Sequence, residues 1–268
     1  MATFSPIRTP NAIDQAVFVV KLSQNIGEAQ LEALKQLENI LDGTFENFHE
    51  IPLNGIAITA DGVSTISNKI IGVECNTPSH QQEHEISSKR SDWILRIIED
   101  SIHINCLSYS NWNDTINFVD QYLTTVFDNI SSENLKIIGI NLQVNDSFVV
   151  KDSIDDLDYS QLFNRSKYLT ENTWDIGSLW HVNSGWFDAT DYEAALNVLN
   201  ISTRTNISDS INLIVLIEHL QQYTLIADVP VESKSELIQK VFNELHEKNK
   251  VIVNELLAPD IKKQIGLS

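Results

Sequence analysis

Over most of its length the chain either alternates apolar with polar residues or crowds β-branched and aromatic residues into short runs. Only a few stretches change to the three-to-four spacing of a helix. QAVFVVKL (15–22) is predicted as a strand. Behind it, GEAQLEALKQLENILDG sets Leu31, Leu34, Leu37, Ile40 and Leu41 on one helical stripe, with Gly43 just beyond as a stop. Between Gly55 and Leu107 come the β-type runs GIAIT, KIIGVEC, EHEISS, DWILRII and SIHINCL. They are punctuated at Asp61-Gly62, Pro78-Ser79, Lys89 to Ser91 and Glu99 to Ser101, which predicts an antiparallel meander. A helix opened by Asn111 or Asn113 then carries Trp112, Ile116, Val119, Leu123, Val126 and Phe127 on one face, and should lie across that sheet.

The second half repeats this order loosely. LKIIGINLQV (135–144) is predicted as a strand, 152–192 as an irregular span, and ALNVLNISTRT and INLIVLIEHLQQYTLI as long strands around the turn NISDS. Ser233 and Glu236 form a capping-box signature ahead of a helix through HEKNKVIVNELL, and Pro259 begins a last short one. The expected class is α+β, with two loosely similar halves (1–132 and 133–268), each an antiparallel sheet with a packing helix. No residue-level repeat accompanies the similarity.

Composition narrows the functional classes. With 268 residues, 42% hydrophobic and 21% charged, the chain has the make-up of an ordinary globular protein and the length to bury a sizeable core. Its 37 acidic and 18 basic residues give a net charge of -19, which disfavours contact with phosphate backbones and anionic lipids. Counting along the sequence, 17 acids face 5 bases between Asp92 and Glu193, whereas acids and bases balance at 6 each from Glu232 onward. DSIDDLDY, with Asp152, Asp155, Asp156 and Asp158, is the densest run. It reads as a solvated loop or helix start, as a dock for a basic partner, or as an imitation of nucleic-acid charge. A calcium loop is disfavoured because the turn glycine and distal glutamate are missing.

Cys75 and Cys106 suggest no disulfide framework and read as buried, reduced thiols. MATFSPIRTPNAIDQ lacks the apolar run of a signal peptide, and no stretch has the length to cross a bilayer, so the cytoplasm is the expected compartment. The triplets at Asn113, Asn145, Asn164, Asn200 and Asn206 are then composition rather than glycosylation sites.

Three motifs invite chemistry. In IHINCLSYSNW, His103 and Cys106 lie three apart, but strand alternation sends Ile102, Ile104 and Cys106 to one face and His103 and Asn105 to the other. HQQEH (His80, Glu83, His84) matches the H-x-x-E-H letters of a zinc site, yet that pattern requires a helix, and Pro78 and Ser79 followed by period-two EHEISS predict turn and strand. Trp174, Trp180 and Trp186 recur at six-residue intervals with His181 beside the second; they line a groove, anchor a partner, or pack their segment onto the sheet. Neither a nucleophile elbow nor a phosphate-cradling or dinucleotide glycine loop occurs.

TPNAIDQAVFVVKL, DWILRIIEDSIHINCLSYSNW, LKIIGINLQV and LHEKNKVIVNELLAPDIKKQIG resemble the start, middle and end of a sporadically distributed family of uncharacterised prokaryotic proteins. The clearest marks are Asn105, Tyr109 and Trp112 at the opening of the central helix, and Leu245 and His246 in the closing one. Relatives tend to carry an arginine and a tyrosine where this chain has Gly139 and Ile140 before Asn141, and the Trp-rich segment has no counterpart. The resemblance implies the fold, a prokaryotic cytoplasm and an association with mobile or defence genes, and brings no reaction with it.

Together these readings lead to the expectation of a non-enzymatic protein that binds or regulates another protein, a basic one being among the candidates, through Trp174, Trp180, His181, Trp186 and the acidic run. No cofactor, membrane or direct nucleic-acid partner is expected, and self-association is left open. The alternatives are a small-molecule sensor or enzyme with a pocket between the helix after Trp112 and its sheet, and an acidic nucleic-acid mimic.

Overall fold

The computed structural model describes residues 3–41, 44–45, 47–59, 62–77, 91–130, 134–151, 157–175, 177–190, 193–206, 212–230 and 235–267. The EHEISS run, the HQQEH motif, most of the NISDS turn, Ser233, Asp152, Asp155 and Asp156 lie outside them.

The strands are β1 (Thr3–Pro6), β2 (Ile13–Leu22), β3 (Asn47–Thr59), β4 (Gly62–Asn76), β5 (Trp93–Ile98), β6 (Ser101–Cys106), β7 (Lys136–Lys151), β8 (His181–Thr190), β9 (Glu193–Asn206) and β10 (Asn212–Pro230). The helices are α1 (Glu28–Lys35), α2 (Leu37–Ile40), α3 (Trp112–Ile130), α4 (Ser235–Leu256) and α5 (Pro259–Gln264). This is an α+β protein. Its strands form one antiparallel sheet in the order β3-β4-β5-β6-β2-β7-β10-β9-β8, with β1 pairing onto β7. Within each half the first long strand lies at the centre, beside the last strand, then the one before that, and the closing helix follows in sequence. The halves, five strands (β2–β6) and four (β7–β10), therefore share this order of pairing and meet where β2 pairs β7, Phe18 opposite Leu142.

Local chemistry explains the elements. Asn111 caps α3: its Oδ1 accepts the Asp114 backbone N–H at 3.0 Å, and its Nδ2 donates to the Asp114 carboxylate at 2.6 Å. The α3 stripe of Ile116, Val119, Tyr122, Leu123, Val126, Phe127 and Ile130 is buried on the sheet. Gly72 is required where β4 meets β5, because a Cβ there would lie 2.1 Å from the Ile97 carbonyl oxygen. Pro259 stands at the start of α5, and Gly266, at φ 69°, closes it in a Schellman turn. There Leu267 N–H donates to the Lys262 carbonyl at 2.9 Å and Gly266 N–H to Lys263 at 3.4 Å.

Two expectations need correction. The helix predicted over the Leu31–Leu41 stripe breaks at Gln36 into α1 and α2, which turns Ile40 out to 52% exposure while Leu31, Leu34, Leu37 and Leu41 stay buried. The span predicted as irregular contains β8. Its inward set (Val182, Ser184, Trp186, Asp188) and its outward set (His181, Asn183, Gly185, Phe187) both mix apolar with polar residues, so no alternation shows.

The described helices pack on one sheet face, over two apolar clusters. One joins α3 and the N-terminal half of α4 to β2, β5, β6 and the start of β7; the other joins the C-terminal half of α4 and α5 to β1, the end of β7, β9 and β10. The boundary between these clusters crosses the sheet beneath α4.

Candidate functional site beneath the closing helix

Along β10 the positions facing α4 run Leu213, Val215, Ile217, His219, Gln221, Tyr223 and Leu225, all buried. Polar residues occupy two successive places in this otherwise apolar series. The neighbouring strands do the same: Asn197 interrupts Ala195, Leu199 and Ile201 on β9, and Asp146 interrupts Val144 and Phe148 on β7. On α4, His246 and Asn249 lie on the inward stripe between Leu245 and Ile252. A polar seam thus separates the two apolar clusters.

The seam is hydrogen-bonded through His219. Its Nδ1 lies 2.8 Å from Asn249 Oδ1 and its Nε2 3.2 Å from Asn197 Oδ1, and Asn197 Nδ2 donates to the Asp188 carboxylate at 2.9 Å. Burial pushes the His219 imidazole down to about 4, against the opposing charge of Asp188, so at pH 7 the ring is neutral and has one N–H. A carboxylate only accepts, which fixes Asn197 with its NH2 toward Asp188 and its oxygen toward His219. His219 must then donate from Nε2 and accept at Nδ1; Asn249 Oδ1 lies 2.8 Å from that Nδ1, an acceptor facing an acceptor, so the Asn249 amide is assigned the reverse way, with its NH2 to the ring and its oxygen away. The polarity of the chain is set from the Asp188 end.

Each end opens into a cavity. The larger, about 680 Å³, lies between β8 and α4 and is lined by Lys167, Tyr168, Ser184, Trp186, Asp188, Lys248, Val251 and Ile252. Trp186 stacks over His219 with ring centroids 6.0 Å apart and 11° between planes, and Tyr168 tilts against Trp186 at 5.2 Å. Lys248 Nζ donates to the Tyr223 hydroxyl at 2.6 Å, and the Ser184 hydroxyl is buried without a partner among the described residues. The smaller cavity, about 150 Å³, lies at the other end of the seam; Tyr109, Asp146, His246 and Asn249 are among its walls. His246 stacks on Trp112 at 3.9 Å with 2° between planes, and Trp112 Nε1 donates to Asn243 at 2.6 Å. Burial drives His246 down to about 4 and Asp146 up to about 7.

The residues nominated from the sequence are dispersed by comparison. Trp180 is buried in the second apolar cluster, Trp174 packs half-buried against it, and Trp186 walls the larger cavity. His181 is exposed, and Asp158 is exposed with its side chain capping a 3-10 turn through the Ser160 N–H at 2.9 Å. His103 and Cys106 point to opposite faces of β6, as alternation requires. Burial raises Cys106 to about 11 and Cys75 to about 12, so both are thiols at neutral pH. Among the described residues no three His, Cys, Asp or Glu side chains gather as a metal-binding group. His219, Asn197, Asn249 and Asp188 were not anticipated, although the polar interruption of apolar parity on β9 and β10 carries the signal.

The pocket expected between the helix after Trp112 and its sheet is replaced by packing, since Val119, Val126, Phe127 and Ile130 on α3 are fully buried. No helix of the described residues is long and apolar enough to cross a membrane. No family model, curated protein or solved structure matches the chain.

Proposed function

We propose that this protein binds a small molecule in the cavity between β8 and α4, as a sensor or as an enzyme acting on that ligand. The observation that carries the reading is the Asp188–Asn197–His219–Asn249 chain beneath the Trp186 ring. Such a chain is a poor device for stability. A net hydrogen bond contributes only about 1 kcal/mol, each buried group left unpaired costs about 1–3 kcal/mol, and apolar residues of the same shape hold a core at least as well. Its place at a cavity wall gives it another use.

The walls define a ligand class. Trp186 and Tyr168 offer aromatic surface to a planar ring. Lys248 donates to Tyr223 with one of its three N–H groups and has two left for an anionic or carbonyl oxygen, while Asp188 accepts from a ligand N–H or O–H. The best-fitting ligand is a planar ring with an acidic or carbonyl group at one end and a donor at the other. Native mass spectrometry of freshly purified protein, followed by a thermal-shift screen of planar heteroaromatic carboxylates, tests this. The reading requires a hit whose effect disappears in Trp186→Ala and weakens at least tenfold in Lys248→Met; no retained species and no Trp186-dependent hit would reject it.

A second reading, regulation through a protein partner, is supported by the other sheet face. No described helix covers it there, and Phe187 on the edge strand β8 is 70% exposed, with Leu179 just before that strand at 63%. The Trp-rich segment and Asp158 contribute little to such a surface, since Trp180 is buried and Trp174 and Trp186 pack inward.

A further inference from the structure

The smaller cavity is a site in its own right. Asp146 is 4% exposed on its wall and forms no ion pair or hydrogen bond with another described side chain. A carboxyl so placed either holds its proton or takes a cationic partner. The lysine that reaches this cavity does not supply one: Lys250 Nζ is engaged by both Glu247 carboxylate oxygens at 3.1 Å. His246, 8% exposed, has its Nδ1 buried and unpartnered. Asn249 also lines the cavity; its Oδ1 lies 2.8 Å from His219 Nδ1, and the orientation assigned above, with the NH2 to the ring, turns that oxygen away from the chain. Asp146 offers a carboxylate, Asn249 in that orientation an amide oxygen, and His246 a lone pair at Nδ1 in its Nε2–H tautomer, around one space. The rest of the wall is mixed: Asn11, Tyr109 and Lys250 are polar, while Ile13, Val253 and Leu267, the last set by the Schellman turn at Gly266, supply apolar surface.

We infer that this cavity binds the ammonium group of a short primary alkylamine, its N–H donors shared among Asp146, His246 and Asn249 and its alkyl chain against Ile13, Val253 and Leu267. A buried carboxylate with two further acceptors suits a group with three N–H donors and a positive charge, the lining lysine being held by Glu247, and the small volume selects a short chain over a bulky one. An anion is disfavoured by Asp146. The site is distinct from the cavity at Trp186 and shares with it only the chain through His219.

Thermal shift and isothermal titration of the full chain with ethylammonium, tetramethylammonium and potassium chlorides at equal ionic strength test the inference. Ethylammonium should raise the melting temperature saturably, half-maximal on the order of 1 mM, as suits so small a ligand. Tetramethylammonium, equally charged but without N–H groups, and potassium should give no saturable rise. Asp146→Asn should weaken ethylammonium at least tenfold while leaving any planar ligand of the Trp186 cavity bound. Equal responses to all three salts, a response to potassium matching that to ethylammonium, or undiminished binding by a folded Asp146→Asn protein would overturn the site. If Asp146→Asn does not fold, the three-salt comparison on the unaltered protein decides the question alone.

Discussion

The two halves of the sheet share one strand order, yet what lies beneath their closing helices differs in kind. Under α3 the sheet presents Phe18, Leu95, Ile97, Ile102 and Ile104, all at or below 1% exposure, to a helix stripe just as apolar. Under α4 the same architecture presents His219, Gln221, Asn197 and Asp146 to His246 and Asn249. Gln221 is 1% exposed with both ends of its amide unpartnered among the described residues, a cost of about 1–3 kcal/mol that no packing argument recovers. The shared strand order does not by itself account for this difference. One half buries an unbroken apolar layer there, and the other seats a polar seam between two apolar clusters.

The sharpest contrast is expected from core truncation. Phe127→Ala under α3 removes a fully buried ring and should cost about 3–5 kcal/mol in urea unfolding. A loss below 1 kcal/mol there would mean that the apolar layer under α3 does not stabilise the fold. Next in size is Asp146→Asn. The Asp146 carboxyl is raised from 3.8 to about 7, so between those pH values the native state holds a proton that the unfolded chain has released. Its contribution is therefore lost as pH rises through that window. At pH 8 the asparagine variant should be the more stable protein, by up to about 4 kcal/mol, and the advantage should vanish below pH 4. Equal stabilities at pH 8 would count against an unpaired carboxyl at this position.

The two buried imidazoles act in the opposite sense. His219 and His246 are lowered from 6.5 to about 4, so on acidification through that window the unfolded chain gains protons that the native state refuses. Stability falls as pH drops from about 6.5 to 4, by up to about 3 kcal/mol for each ring, with Asp146 partly offsetting the loss. Urea titrations across pH 4–7 should therefore show a steeper acid loss in Asp146→Asn than in the unaltered protein. Smaller again, Asn249→Leu strands a lone pair of His219 and should cost about 1–3 kcal/mol, whereas replacing Asn197, His219 and Asn249 together by leucine should approach neutrality. A triple variant as damaged as Phe127→Ala would make the seam structural after all. At the bottom of the scale, Phe187→Ser on the exposed sheet face should change stability by no more than about 0.5 kcal/mol.

Much of the architecture was legible where periodicity was clean. β2, the meander strands β4 to β6, α3 with its Asn111 cap, and the Pro259 start of α5 all follow from alternation, spacing and end signals. β8 was hidden because its inward set places Ser184 and Asp188 beside Trp186, and its outward set places Phe187 among polar residues, as suits an edge strand at a cavity. The site was obscured for a related reason. His219 sits in a strand whose apolar character dominates any window, and its partners lie 22 and 30 residues away on β9 and α4. Only the parity of that strand, in which His219 and Gln221 occupy places otherwise held by Ile217 and Tyr223, marks them as inward polar groups. The tryptophans drew attention by their regular interval, but an interval of six fixes neither face nor depth: all three meet the second apolar cluster, at different depths, and Trp186 alone of them lines the larger cavity.

The central claim is that a neutral hydrogen-bonded chain, its polarity fixed by Asp188, runs beneath α4 between the two cavities. Nitrogen-15 NMR of the His219 side chain at pH 7 reads it directly. The account predicts a hydrogen on Nε2 and a bare, accepting Nδ1; protons on both nitrogens, or on Nδ1 alone, would contradict it.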